Sequence, residues 1–142
     1  MRARMIHKAT VQIQKFKPQE KLGGYTWIFH LTDVDDFPSV LHAHNGEKPL
    51  RLDGNTGKIY DEGTREQTGK IRNKELRLLH KNEKFIEFAQ RRIRVYNSAY
   101  PYKAIEFPSW LKVHPVMHRK QLQNDIEAFC IYAKYEGGNN IL

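Results

Sequence analysis

The chain has 142 residues, about one domain's worth and enough for one ordinary core. Hydrophobic residues make up 39% and charged residues 28%, a balance that excludes a disordered chain, and no apolar run approaches the ~18 residues of a membrane span. The one cysteine, Cys130, excludes an internal disulfide and a cysteine-based zinc finger. The charged start has no apolar core of a secretory signal, so a reducing, cytoplasmic setting is expected. Net charge is +8, and residues 70–120 hold 13 basic against 4 acidic residues. A field concentrated in this way attracts polyanions; the alternative is an ordinary solvated surface.

In chain order, Ala9, Val11 and Ile13 alternate with Lys8, Thr10, Gln12 and Gln14, a strand period. A turn follows at residues 17–24. Tyr25, Trp27, Phe29 and Leu31 then alternate with Thr26, Ile28, His30 and Thr32, so the two runs are expected to pair as an antiparallel hairpin. Residues 33–38 break the pattern, and a third strand is expected at 40–45. Leu50 and Leu52 alternate with Arg51 and Asp53, and Ile59 and Tyr60 return after the turn Gly54-Asn-Thr-Gly57. Residues 61–70 read as a loop. Asn73 and Asn82 read as helix caps, the second opening a helix with Phe85, Ala89, Ile93 and Tyr96 on one face. Residues 97–115 read as an irregular connection. A last helix places Leu122, Ile126, Phe129, Cys130 and Ala133 together and ends at Gly137-Gly138. This order predicts an α+β fold in one domain over 1–142. A five-stranded, mostly antiparallel meander from residues 1–61 is covered on one face by two or three helices from residues 73–136.

The sharpest chemical feature is His42-Ala43-His44. Two residues apart on a strand, both rings project from one face, about 6.5–7 Å apart along the chain. They suit an acid/base pair acting on a phosphodiester, or two ligands of a metal. A metal would need a third ligand, with Glu47, Asp53, His30 and the Asp33, Asp35 and Asp36 cluster as candidates. No cofactor is expected, the acid/base role being preferred to a divalent metal at His42 and His44. The plainer alternative is two exposed histidines on an edge strand. His30-Leu-Thr32 matches one half of a two-histidine phosphoesterase pattern whose second half is missing, so His30 is read as a sheet-face residue. Cys130, on an apolar helix face, is read as a buried, inert thiol.

The basic constellation is Lys84, Arg91, Arg92 and Arg94, which can share an outer helix face and bind phosphate through guanidinium forks. Tyr100 and Tyr102 could stack exposed RNA bases or pin their loop to the core, while Tyr96 and Trp110 are read as core rings. The run Phe129-Cys-Ile-Tyr-Ala133 reads as core, with a homodimer face as the alternative.

Pro38-Ser-Val-Leu-His-Ala-His44, Leu50-Arg-Leu-Asp53, Thr56-Gly-Lys-Ile59 and Lys74-Glu-Leu76 together resemble a family of small bacterial proteins of unknown function. Those proteins show a Pro-His-x-His element and often occur in toxin–antitoxin-like gene pairs. The resemblance spans about residues 37–96 and implies an accessory or defence-type role.

Three functions follow from this reading. The first, and the preferred one, is a protein binding a polyanion, RNA before others, without catalysis being required; its enzymatic form would have His42 and His44 cleave RNA in a groove shared with the arginines. The second is a non-catalytic antitoxin, immunity or inhibitor module docking on an acidic protein. The third is a metal-dependent hydrolase built on His42 and His44. No membrane partner is expected.

Overall fold

The computed structural model describes residues 14–111 and 119–134. Among them, six strands form one antiparallel meander: β1 (Lys15–Phe16), β2 (Ile28–His30), β3 (His42–His44), β4 (Leu50–Asp53), β5 (Lys58–Asp61) and β6 (Gln67–Lys70). Three helices follow: α1 (Asn73–Lys81), α2 (Glu83–Ala99) and α3 (Arg119–Tyr132). The fold class is α+β, as the strands-then-helices order predicts.

The strand count is six rather than five. The extra strand, β6, comes from the segment read as a loop. Its sequence, Gln67-Thr-Gly-Lys70, has no apolar residue, so there is no alternation to reveal it. It pairs with β5 through an irregular register between Ile59 and Tyr60, and as the last strand it buries neither face. The expected strand at Ala9, Val11 and Ile13 lies outside the described residues. The hairpin expected with it closes here through β1, with Lys15 opposite His30 and Phe16 opposite Phe29.

Register explains the two faces of the sheet. Phe29 pairs with Ala43, Ala43 with Leu52 and Leu52 with Ile59, and all four are buried. This row meets α2, with the Phe29 ring 5.0 Å from that of Phe85 and 6.2 Å from that of Phe88. Side chains alternate across a strand. The other face therefore carries His30, His42, His44, Arg51 and Tyr60. The β4–β5 turn closes on Gly57, at φ 78, where a Cβ would come within 2.8 Å of Ile71 Cγ1.

Asn82 caps α2 as expected, its Oδ1 accepting from the backbone N–H of Lys84 (2.9 Å) and Phe85 (3.1 Å). Asn73 is not the cap of α1. Arg72 occupies that position, and Glu75 reaches back to accept from its N–H at 2.9 Å. In α3 the inward residues are Asp125, Ala128 and Phe129, and Cys130 is exposed. The helix turns toward a buried ion pair, Asp125 with Arg91 of α2, rather than along its longest apolar run.

Candidate metal centre

The face of the sheet turned away from α1 and α2 carries a compact polar cluster. His42 Nε2 lies 3.1 Å and His44 Nε2 2.8 Å from one oxygen, Oδ2 of Asp33. The two rings are 5.0 Å apart between centroids, because β3 projects both from one face. Asp33 comes from the β2–β3 connection, which folds back over this face. These three residues offer ligand atoms within 4.8 Å of one another.

The far nitrogen of each ring is also held. His42 Nδ1 is 2.7 Å from the Ser39 carbonyl oxygen. A carbonyl only accepts, so this nitrogen carries a proton; Nε2 can donate to Asp33, or present a lone pair to a metal ion that displaces that proton. His44 Nδ1 faces Glu62 Oε1 at 3.3 Å, with the same consequence where that carboxylate is ionised. Both Nε2 atoms converge on Asp33 Oδ2. Backbone carbonyls and carboxylates hold metal-bound histidines in this manner, with the outer nitrogen protonated and the inner one free to ligate. Burial opposes ionisation of Asp33, but hydrogen bonds to His42 and His44 outweigh it and hold the carboxyl well below the usual range.

The surrounding charges continue the network. Arg51 donates through Nε to Glu62 (2.9 Å) and through its terminal nitrogen to Asp35 (2.7 Å) and the Phe37 carbonyl (2.9 Å). Tyr96 donates to Asp36 at 2.7 Å. Exposure is graded: the His42 side chain is 1% accessible, Asp33 15% and His44 27%, so the cluster is closed below and open on the His44 side. His30 borders it, its ring centroid 5.7 Å from that of His44, and its ring makes no hydrogen bond with any described residue.

The structure corrects several expectations. His42 and His44 are not an exposed pair on an edge strand, since β3 lies between β2 and β4. Nor do they share a groove with the arginines of α2, which lie on the other side of the sheet. The Arg91 guanidinium is bound to Asp125 by two hydrogen bonds of 2.9 and 2.8 Å and is buried with it. Arg92 is 1% exposed and donates to four backbone carbonyls. Neither guanidinium is available to a phosphate. Arg94 is half-buried, with its guanidinium 5.0 Å above the Phe107 ring. Lys84 is exposed. Tyr100 packs against Tyr96 and Phe129 beside the core, while Tyr102 is 79% exposed. Tyr96 is a core ring, and Trp110, half-buried, packs against the core and stacks on His80 at 4.0 Å.

Asp33 was one of several candidate third ligands, and nothing in its local sequence separates it from Asp35 and Asp36. Ser39, Arg51 and Glu62 carry no sequence signal for this role, because the contacts of Ser39 and Arg51 depend on how the β2–β3 connection folds and those of Glu62 on the pairing of β3, β4 and β5. In comparisons with known proteins, no family model, curated protein or solved structure matches the chain.

Proposed function

We propose that this chain binds one divalent transition-metal ion through Asp33, His42 and His44 and uses it as a hydrolytic centre. The observation that supports this reading is the convergence of three ligand atoms whose two imidazoles are each anchored through the opposite nitrogen. Two imidazoles and one carboxylate suit zinc, manganese or iron. Three protein ligands leave a position for water, whose pKa a bound zinc brings to about 7. The partly exposed side at His44 gives that water and a substrate access. An acid/base pair acting alone fits less well, because every ring nitrogen of His42 and His44 already faces a partner.

The test is a titration of the chelator-stripped chain with zinc or manganese. One equivalent per chain binds, and Asp33→Asn and His44→Ala each weaken affinity beyond the about 10–100-fold that outer-shell partners carry. Absence of stoichiometric binding overturns the reading. Hydrolysis of activated phosphate and carboxylate esters by the loaded chain, abolished by chelator, tests the catalytic part.

A second reading rests on a separate surface. Lys74, Arg77 and Lys81 follow one another at helical spacing on α1, with Lys84 in the first turn of α2. All four are exposed and make no ion pair with a described residue. This stripe suits a polyanion, RNA first, bound away from the histidines and therefore without cleavage by them. Binding of a single-stranded RNA oligonucleotide would weaken with salt. Removing one stripe cation would lower the slope of log affinity on log salt by about 1. A slope unchanged in Arg77→Ala and Lys81→Ala contradicts it.

A further inference from the structure

Arg92 occupies an unusual position for an arginine. It is fully buried, yet no carboxylate bonds to it. Its Nε donates to the Val40 carbonyl at 2.9 Å. One terminal nitrogen donates to the carbonyls of Leu31 (3.1 Å) and Asp33 (2.6 Å), and the other to that of Asp35 (3.1 Å). Four backbone acceptors thus meet a group with five N–H donors. Burial lowers the guanidinium to about 10, with Asp33 opposing the drop, so it stays charged at neutral pH.

The four acceptors are not scattered. Leu31 follows β2, Val40 precedes β3, and Asp33 and Asp35 lie on the connection between them. This connection places the Asp33 carboxylate between the two histidines. It has no sheet or helix hydrogen bonding of its own, so its carbonyls need other partners. The rigid helix α2 supplies them from inside, through one side chain whose planar fork fixes several directions at once.

We propose that Arg92 is the positioning residue of the metal centre: it sets where Asp33 stands relative to His42 and His44, and through that the affinity for the ion. This rests on the metal reading above. Lysine keeps the charge at this place but gathers its three donors on one nitrogen, and cannot reach four carbonyls facing different ways. Glutamine keeps a planar donor and loses the charge.

The experiment compares the full chain with Arg92→Lys, Arg92→Gln and the control Asp125→Asn. The control weakens the other buried arginine contact of α2 without touching the connection. Thermal melting of the metal-free proteins reads structural cost. Cobalt(II) titration reads affinity, and the visible cobalt spectrum reads coordination. At least one Arg92 variant keeps the native circular dichroism, binds cobalt about 10–100-fold more weakly and shows an altered spectrum. Asp125→Asn lowers the melting temperature but keeps affinity within about twofold, as expected of a distant site. Wild-type affinity and spectrum in folded Arg92 variants overturn the proposal. So does an equal affinity loss in Asp125→Asn, or loss of native structure in both Arg92 variants, since the residue then holds the fold and not the ligand. A wild-type chain that binds no cobalt is a different result: it removes the metal reading itself, and the role of Arg92 with it.

Discussion

His80 shows how a single buried ring ties stability to pH without belonging to the polar cluster. Its ring lies 4.0 Å from the Trp110 ring, nearly parallel to it, and its Nε2 is 2.8 Å from the Gly54 carbonyl. Burial lowers its pKa below the ordinary histidine value, although the Gly54 bond opposes the change. The unfolded chain then binds the proton more readily than the folded one. Stability contributed by this ring is in place above the unfolded pKa of about 6.5 and declines as pH falls through it. The stability gap between wild type and His80→Gln therefore narrows from pH 7 to pH 5 in urea denaturation; a gap constant over that range contradicts the account. Asp33 shifts in the same direction for the opposite reason, because the fold favours its charged form. Its folded pKa is depressed, so its contribution persists above the unfolded value of about 3.9 and is lost only as pH falls below that. At this scale the sequence was partly readable. The pairing of His42 with His44 follows from a period of two and nothing else. The choice of Asp33 does not, because the residue that holds its backbone, Arg92, is 59 positions away.

Among the elements, α2 is the centre of the molecule. Its Phe85, Phe88, Ala89, Ile93 and Tyr96 are buried, and so are Arg91 and Arg92. Periodicity revealed the apolar face and the Asn82 cap. It also suggested that the arginines formed an outer, solvent-facing stripe. That inference fails because α3 covers the side on which Arg91 projects and brings Asp125 to it. A charged residue on the polar side of a helix reads as exposed only while nothing else packs there. Removing the partner carries a large cost: Asp125→Ala leaves Arg91 buried and unpaired and lowers stability by about 3–5 kcal/mol. Equilibrium unfolding measures this, and a loss below about 1 kcal/mol, the range of an exposed pair, contradicts the burial described here. The exposure of Cys130 has the same origin, since α3 is oriented by Asp125, Ala128 and Phe129. Strand β6 escaped notice for a different reason. A polar edge strand owes its place to hydrogen bonds with β5, and backbone pairing leaves no mark on hydropathy.

For the molecule as a whole, charge along the sequence and charge on the surface are different quantities. The excess in residues 70–120 suggested one electropositive hollow shared by arginines and histidines. Folding divides it: Arg91 and Arg92 turn inward, Lys74, Arg77, Lys81 and Lys84 remain outside on the helical side, and the histidines lie across the sheet among carboxylates. The helical side offers fixed cations to a polyanion, and the opposite side offers ligands to a cation. The most direct test of the latter is X-ray absorption spectroscopy of the zinc-loaded chain. The account predicts a first shell of nitrogen and oxygen at about 2.0–2.2 Å, containing two imidazoles and no sulfur, with one imidazole lost in His44→Ala. Zinc that is not retained, or a shell without imidazole, contradicts it.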